Sequence, residues 1–340
     1  MNSNFSDGLN YISKLNSYKL MNAFKVIISY ILAKISKRPV HWGYPLSISI
    51  EPTTSCNLRC PECPSGLRSF TRPTGMLKEE MFQKSIDELK KHLTYLLFYF
   101  QGEPYLNPGF LSMVKYASKS GIYTATSTNA HYLTDDIARE TVISGLDRLI
   151  ISIDGTTQET YQSYRIGGSL EKVIAGTKNI IKWKKSLQSK TPHIIFQFLV
   201  VKPNEHQIEE VYQLANELGV NEVGLKTAQI YDYREGSPLI PDNPHFSRYI
   251  KTKDGRYTIK NPLKNHCWKM WHSSVITWDG KVIPCCFDKD AAHPMGDLNT
   301  QSFQTLWRGK SYNEFRKDVL KSRSSIEMCK NCTEGTRIWA

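Results

Sequence analysis

Residues 46–63 read LSISIEPTTSCNLRCPEC, and this stretch decides the fold. The apolar, β-branched run from Leu46 to Glu51 predicts a β-strand. Three cysteines, Cys56, Cys60 and Cys63, follow it with the spacing C-x3-C-x2-C. Parallel α/β sheets and barrels carry their chemistry where strands end and loops begin. The stretch therefore predicts a thiol-lined site at the carboxyl edge of a parallel sheet.

Downstream of this stretch, short apolar runs alternate with amphipathic segments as far as Lys226, which indicates repeated strand-helix units. Apolar residues between the strands step by three and four, as in Phe82, Ile86, Leu89 and Leu93, and predict five intervening helices. The fold class is α/β, either an open doubly wound sheet or a partial barrel. The predicted strands are Leu46 to Glu51, Tyr95 to Phe100, Ile122 to Ser127, Arg148 to Ile153, Ile194 to Val200 and Val220 to Lys226.

Polar segments follow each of the next three strands. Residues 101–104 (QGEP) follow the second strand, 128–129 (TN) the third and 154–155 (DG) the fourth. No G-x-G-x-x-G or P-loop sequence follows any strand, which argues against Rossmann and P-loop nucleotide enzymes.

Three thiolates on one short loop leave a tetrahedral metal site one ligand short. In a 4Fe-4S cube held by three cysteines, the fourth iron is free to bind an external ligand. A zinc or purely structural site is the alternative, and the polar segments that follow the other strands argue against it.

From Leu46 onward the sequence resembles the radical S-adenosylmethionine (SAM) superfamily. The resemblance implies a partial (βα)6 TIM-like barrel in which Cys56, Cys60 and Cys63 hold a 4Fe-4S cluster and SAM chelates its open iron. Residues 101–104 resemble the family's G-G-E-P segment, which meets the cofactor's ammonium; a carboxylate suits that role because it forms a charge-assisted hydrogen bond. By the same resemblance the cofactor-binding residues are Gly102, Glu103, Asn129, Ser152 and Arg165.

A second set of cysteines lies about two hundred residues downstream, with the spacing C-x17-C-x43-C-x2-C. It resembles the shortened auxiliary-cluster module called twitch, a trimmed SPASM domain, of enzymes such as 2-deoxy-scyllo-inosamine dehydrogenase and, more distantly, the sulfatase maturases. Since no further cysteines follow before Ala340, we expect one auxiliary 4Fe-4S cluster, and a four-cysteine zinc ribbon is the alternative. The position of Gly280 favours Cys285 over Cys286. The expected ligands are Cys267, Cys285, Cys329 and Cys332.

Four segments are predicted: a basic amphipathic extension (1–45), a radical SAM core (46–229), a linker rich in Pro, Gly, Asp and Asn (230–266), and a small Cys-rich α+β module (267–340). The module contains a predicted hairpin at 275–284, broken by Asp279-Gly280, and a helix near 303–320. We expect its tryptophans, Trp268, Trp271, Trp278 and Trp307, to pack around the auxiliary cluster.

The net charge of +12 is uneven, because residues 1–50 hold six basic residues against the single acid Asp7. Residues 18–36 alternate lysines with apolar residues at helical spacing, among them Leu20, Phe24, Ile31 and Ile35. Such a helix either packs against the bottom of the core or binds a membrane surface or an acidic partner. With no export signal and no nucleic-acid-binding motif, we expect a cytoplasmic protein, peripheral to the inner face of the membrane if the helix makes that contact, and no nucleic-acid partner.

The resemblance implies reductive cleavage of SAM to a 5′-deoxyadenosyl radical, with the electron supplied by an external donor such as flavodoxin or ferredoxin. A fully ligated auxiliary cluster can accept the second electron, which favours oxidation of a sugar-like or cyclitol alcohol. A peptide- or protein-modifying enzyme and a non-enzymatic iron-sulfur or zinc scaffold are the alternatives. The sequence does not identify the catalytic base, for which Glu51, Asp154 and Asp288 lie near predicted strand ends or the second cluster.

Overall fold

The structure, a computed structural model, describes residues 3–261, 263–336 and 338. Six parallel strands form its centre in the sequential order β1 to β6, each hydrogen-bonded to the next. This sequential order fits the partial barrel implied by the family resemblance, and not the doubly wound sheet that the strand-helix pattern left open. The strands are β1 (Ser47–Ile50), β2 (Tyr95–Leu97), β3 (Tyr123–Thr128), β4 (Arg148–Ser152), β5 (His193–Val200) and β6 (Glu222–Thr227).

The longer helices cover the outside of the sheet and present apolar faces to it. In the helix Phe110–Lys119, for example, four apolar residues are buried at helical spacing: Phe110, Met113, Val114 and Ala117. The helices of the core, numbered after the two N-terminal helices α1 and α2, are α3 (Pro64–Leu67), α4 (Glu79–Leu89), α5 (Phe110–Lys119), α6 (Asp135–Ile143), α7 (Gln158–Tyr164), α8 (Leu170–Ser186) and α9 (Ile208–Leu218).

The two N-terminal helices, α1 (Ser3–Ser13) and α2 (Ser17–Ser36), close the end of the sheet opposite the cysteine loop. Asp7 accepts a hydrogen bond from the Tyr123 hydroxyl and pairs with Arg148, both at strand starts. The Lys19 ammonium donates to the Gly121 carbonyl at 2.6 Å. The helices therefore pack on the core partly through polar contacts. No helix in the described ranges is long and apolar enough to cross a bilayer.

The C-terminal region extends the same sheet. Strand β9 (Ser273–Ile276) pairs in parallel with β1, and the predicted hairpin forms between β9 and β10 (Lys281–Ile283), followed by the short β11 (Gly296–Asp297). The helix predicted near 303–320 is wrong as one element, because Gly309 in an extended conformation divides it into α11 (Phe303–Arg308) and α12 (Lys310–Ser322). The short helices α10 (Lys269–His272) and α13 (Glu327–Lys330) carry residues near the second cysteine set.

The segment predicted as a linker contains a small antiparallel hairpin, β7 (Tyr249–Lys251) and β8 (Tyr257–Ile259). Tyr249 is buried, and its hydroxyl accepts from the Ile230 amide and donates to Asn331. Tyr249, Ile230 and Ile240 share an apolar cluster with Leu58 and Cys60 of the first cysteine loop. The segment therefore covers that loop.

Candidate active site

The loop between β1 and α3 brings the three predicted cluster cysteines to one cavity. Burial raises the pKa of the Cys56 thiol to about 11, and burial also raises the pKa of Cys60. Thiols in such a setting become thiolates when a metal replaces their protons. Three polar groups already face the sulfurs: Asn129 Nδ2 is 3.9 Å from Cys56 Sγ, Arg165 is 3.8 Å from Cys60 Sγ, and Gln101 Oε1 is 4.0 Å from Cys63 Sγ. The Asn129 and Arg165 N–H groups donate to sulfur and fit a thiolate-held cluster, whereas Gln101 Oε1 accepts from the Cys63 thiol.

Gly102 and Glu103 lie beside the cysteine loop. Gly102 has a φ of +76°, and a Cβ there would lie 2.2 Å from the Thr53 carbonyl oxygen, so no larger residue fits. Glu103 is buried and accepts from Thr128 Oγ1 at 2.7 Å and from the Asn129 amide at 2.8 Å. Burial raises its pKa to about 7. A buried carboxylate next to the cluster loop suits a cationic ligand group.

The other predicted cofactor residues reach the same cavity. Asn129, Ser152 and Arg165 all line it. Asn129 Nδ2 also donates to Asn57 at 2.8 Å, and Arg165 Nε donates to Asp154 at 2.5 Å. Arg165 is therefore ion-paired and largely buried, not a solvated charge. Ser152 ends β4 and is buried.

The three acids considered as bases are all held by protein donors. Glu51 is fully buried, and both its oxygens accept from Arg72, at 2.6 and 2.8 Å. Asp154 pairs with Arg165 and accepts from the Leu199 amide, while Asp288 accepts from two backbone amides of its own loop. None of these three acids lines the cavity that contains the first cysteine loop.

Four cysteines of the second set, Cys267, Cys285, Cys329 and Cys332, line one narrow pocket more than two hundred residues away in sequence from the first loop. The Arg323 guanidinium donates to Cys332 Sγ at 3.0 Å and lowers the pKa of this thiol, but burial outweighs this effect and leaves the pKa of Cys332 raised. Gly335 approaches Cys267 so closely that a Cβ would lie 2.4 Å from its Sγ. Among the described residues, no group of three or more His, Cys, Asp or Glu side chains converges tightly enough for a single metal ion.

The eighth cysteine, Cys286, has its thiol next to that of Cys285 but lines a different space. It lines the large cavity next to the first cysteine loop, whereas Cys285 lines the narrow pocket. This placement fits the choice of Cys285 as the fourth thiol.

The apolar wall of the narrow pocket is not built from tryptophans, contrary to the sequence expectation. Met270, Phe287, Val319 and Met328 line it, and no tryptophan does within the described part of the chain. Trp271 and Trp307 are fully buried elsewhere, with their indole N–H groups bonded to the carbonyls of Val40 and Gly43.

The three cysteines of the first loop and Cys286 line one cavity, which adjoins the narrow pocket of the other four cysteines. A cavity of about 600 Å³ has the first cysteine loop on one side, and Lys269, Cys286 and Phe287 on the other. Lys269 and Phe287 also line the narrow pocket, so they lie between the two sites.

Several cavity residues were not singled out from the sequence: Glu62, Lys226, Arg248, Lys289 and Glu334. Only the position of Glu62 inside the cysteine loop gave a sequence signal.

Comparison with known proteins agrees with this arrangement. Residues 50–215 match the radical SAM superfamily, and residues 267–333 match the SPASM iron-sulfur cluster-binding domain. The tungsten-containing aldehyde ferredoxin oxidoreductase cofactor-modifying protein of Pyrococcus furiosus is 25% identical over 310 residues, covering 78% of this chain and 82% of that protein. The PqqA peptide cyclase of Bradyrhizobium diazoefficiens is 23% identical over 323 residues, covering 86% of this chain and 79% of that protein.

Among solved structures, BtrN in complex with AdoMet and 2-DOIA superposes with a TM-score of 0.53 at 16% identity, covering 86% of this chain and 94% of that one. This likeness confirms the fold. The family matches contradict the hypothesis of a non-enzymatic iron-sulfur or zinc scaffold, so that hypothesis is wrong. The chain therefore belongs to the radical SAM superfamily as an enzyme with a C-terminal SPASM domain, and its cofactors are S-adenosylmethionine and iron-sulfur clusters.

Proposed function

We propose that this enzyme oxidises a small polar molecule by two electrons, converting a sugar-like or cyclitol alcohol to a ketone. The observation that carries the proposal is the cavity of about 600 Å³ that holds the first cysteine loop and shares Lys269 and Phe287 with the narrow pocket of the second cysteine set. When bound, the first cluster with S-adenosylmethionine supplies the radical that removes a hydrogen atom, and the auxiliary cluster supplies an acceptor for the remaining electron. An external donor such as flavodoxin or ferredoxin provides the electron that starts turnover.

Each predicted residue has a role in this proposal. Cys56, Cys60 and Cys63 hold the first cluster. Glu103 binds the ammonium of the cofactor through a charge-assisted hydrogen bond. The cofactor's other polar groups are bound by Gly102, Asn129, Ser152 and Arg165, and the auxiliary cluster is held by Cys267, Cys285, Cys329 and Cys332.

Oxidation of an alcohol to a ketone also releases the hydroxyl proton, and we assign Glu62 to accept it. Glu62 lines the cavity, and burial raises the pKa of its carboxyl toward the range in which a base works best. Glu334 is less suited. Burial raises its pKa, but the Lys269 ammonium outweighs this and leaves the pKa of Glu334 lowered.

Turnover of small molecules by the anaerobically reconstituted enzyme tests the proposal. The expected product is lighter than its substrate by two hydrogen atoms and forms together with 5′-deoxyadenosine. Glu62→Gln should keep cofactor cleavage and lose the ketone, whereas the exposed control Glu140→Gln should change neither. Oxidation at the parent rate in Glu62→Gln would remove this residue as the base.

Peptide modification is a second candidate, favoured by the similarity to the PqqA peptide cyclase. A peptide substrate that gains a crosslink under the same conditions, with no small molecule oxidised, would replace the first proposal with this one.

We further propose that the N-terminal helices rest on an anionic membrane surface. The apolar stripe of α2 faces away from the core: Leu20, Phe24 and Ile35 are 56%, 61% and 75% exposed. The opposite face, which packs on the core, includes Lys19, Asn22 and Ser29. The same face also buries Val26, Tyr30 and Ala33, so α2 has apolar side chains on both sides, and the outward stripe is apolar surface that packing on the core does not use.

The same surface continues on α1, where Phe5, Leu9 and Ile12 are exposed at helical spacing. Of the large hydrophobic side chains exposed in the described chain, more than half lie in the first 42 residues. The segment is also strongly basic, and Asp7, its single acid, is paired with Arg148. Apolar side chains flanked by lysines fit the interface of a bilayer that contains anionic lipids better than a neutral protein surface.

A further inference from the structure

One part of the cavity wall is rich in cations. Lys226 is the penultimate residue of β6, Arg248 precedes β7, and Lys289 follows β10, and all three line the same cavity. We call these residues the cationic wall. They come from three separate parts of the chain, so the fold brings them together.

Arg248 is the best-defined member. Its side chain is only 13% exposed, and its Nε donates to the carbonyl and hydroxyl oxygens of Thr227 at 3.0 and 2.9 Å. One terminal nitrogen is 3.9 Å from Glu334 Oε1. The other, Nη1, is buried and has no hydrogen-bond partner in the described part of the chain. A buried guanidinium N–H without an acceptor is costly, so a ligand oxygen is the natural partner.

Lys289 interacts electrostatically with the Glu62 carboxylate, but the two groups are not in direct contact. Its ammonium lies 4.7 Å from the centre of the Tyr231 ring, and within the described ranges it makes no ion pair. Burial lowers its pKa, which means that its charge is poorly solvated in the absence of a ligand.

The cysteine sets account for these cations only in part: Lys289 is near enough to Cys63 and Cys286 to interact with them electrostatically, whereas neither Arg248 nor Lys226 makes a hydrogen bond to a cysteine within the described ranges. Arg323 already faces Cys332, and Lys269 lies 3.8 Å from Cys286 and pairs with Glu334. The second cysteine site therefore has basic neighbours of its own. Glu334 is shared between Lys269 and Arg248, so it balances only part of the positive charge.

From this geometry we propose that the substrate carries a phosphoryl group, which binds to the cationic wall. A phosphoryl group offers three oxygen acceptors and up to two negative charges, which match one arginine fork and two ammonium groups. A carboxylate has the same charge-assisted chemistry but fewer oxygens and a single charge. The inference rests on the proposed function, since it names the class of molecule that the site oxidises: a phosphorylated sugar-like alcohol.

The test is anaerobic calorimetry of the reconstituted holoenzyme with inorganic phosphate and, separately, with acetate. Phosphate should bind more tightly than acetate. Arg248→Gln and Lys289→Met should each weaken phosphate binding by about tenfold or more. Arg256→Gln is the matched control, because Arg256 lies on the neighbouring β7–β8 hairpin, is 66% exposed and does not line the cavity. It should bind phosphate as the parent does.

Affinity for S-adenosylmethionine is measured on the same samples and should be unchanged in all three variants. The proposal is overturned if the parent does not bind phosphate, if acetate binds as tightly, or if both cavity variants bind phosphate like Arg256→Gln. A loss of cofactor affinity would also overturn it, because the wall would then serve the cofactor. Lys289→Met removes no protein hydrogen bond, so it remains informative if Arg248→Gln folds poorly. Since none of these readouts uses turnover, phosphate binding can fail or succeed independently of the proposed oxidation.

Discussion

The surroundings of Glu103 affect the ionisation of its carboxyl group in two opposing ways. It is buried, so desolvation favours its neutral form, while Thr128 and the backbone amides of Asn129 and Tyr105 donate hydrogen bonds that favour the charged form. The balance leaves the pKa at about 7. A ligand ammonium adds a cation and therefore binds best to the ionised carboxylate.

The pH dependence of cofactor binding should report this group. Above the raised pKa of about 7 Glu103 is ionised, and below it a proton competes with the ammonium, so affinity for S-adenosylmethionine should fall as the pH decreases through neutrality. Glu103→Gln should weaken binding by about tenfold and flatten the profile between about pH 6 and pH 8. Equilibrium dialysis with labelled cofactor measures both. A profile as steep in Glu103→Gln as in the parent would assign the titration to another group.

Cys285 and Cys286 are adjacent in sequence but face different spaces. Cys285→Ala should lower the iron content from about eight to about four per chain, because it removes one thiolate of the auxiliary cluster. Cys286→Ala is the matched control and should keep about eight. Iron and sulfide analysis of both variants makes the comparison. The reverse result would exchange the two assignments, and one zinc with about four iron in the parent would favour a zinc ribbon.

Among the secondary-structure elements, α2 has the least expected orientation on the core. Its core-facing side bonds Asn22 to the Tyr44 carbonyl and amide and Lys19 to the Gly121 carbonyl, so polar contacts fix its orientation. Because these contacts hold one face inward, the apolar residues a half-turn away are forced outward.

Vesicle binding should depend on this outward stripe. Phe24→Ser with Ile35→Ser should weaken sedimentation with vesicles of phosphatidylcholine and phosphatidylglycerol by at least about tenfold, because two large side chains no longer enter the interface. Binding of the parent should also fall at high salt. The control is Ile143→Ser with Leu187→Ser, two apolar residues exposed on the surface of the radical SAM domain, and it should bind vesicles like the parent. If the parent protein does not sediment with anionic vesicles, the apolar stripe binds a protein partner instead.

A second feature at this scale is the junction between the core and the SPASM domain. Strand β9 pairs with β1 over four residues, from Ser47 opposite Ser273 to Ile50 opposite Ile276. Glu51, which follows β1, accepts from Arg72 and from the Trp278 amide in the β9–β10 turn. This buried carboxylate therefore fixes the junction, which explains why it is not free to act as a base.

For the whole molecule, the arrangement implies a division of labour between the two cluster sites. Cys329→Ala with Cys332→Ala should spare formation of 5′-deoxyadenosine but greatly reduce oxidised product, because the first cluster is intact and the electron acceptor is lost. Cys56→Ala, Cys60→Ala and Cys63→Ala together should abolish cofactor cleavage. The two products are quantified by mass spectrometry.

Loss of the auxiliary cluster also removes a link between Cys267 and Cys332, so a thermal melt must accompany the first variant. A well-folded double variant that makes product at the parent rate would leave the second cluster a structural role.

Local patterns were sufficient for much of this architecture. The six core strands, the cysteine loop after the first of them and the Asp279-Gly280 hairpin all follow from the period of apolar residues and from turn residues, which act over a few positions. The spacing of the cysteines also separated the two sets. Where a local rule was applied too far, as in the single helix across Gly309, one residue's backbone conformation decided the outcome.

What only the tertiary structure decided are contacts between distant segments. The pairing of β1 with β9, the outward direction of the α2 stripe and the convergence of Lys226, Arg248 and Lys289 on one cavity join residues far apart in the chain. The sequence indicates that a helix or strand face is apolar, or that a residue is charged, but it does not indicate which part of the protein that face or residue contacts. That depends on which surfaces exclude water together once the chain has folded, a property of the whole fold that no short stretch contains.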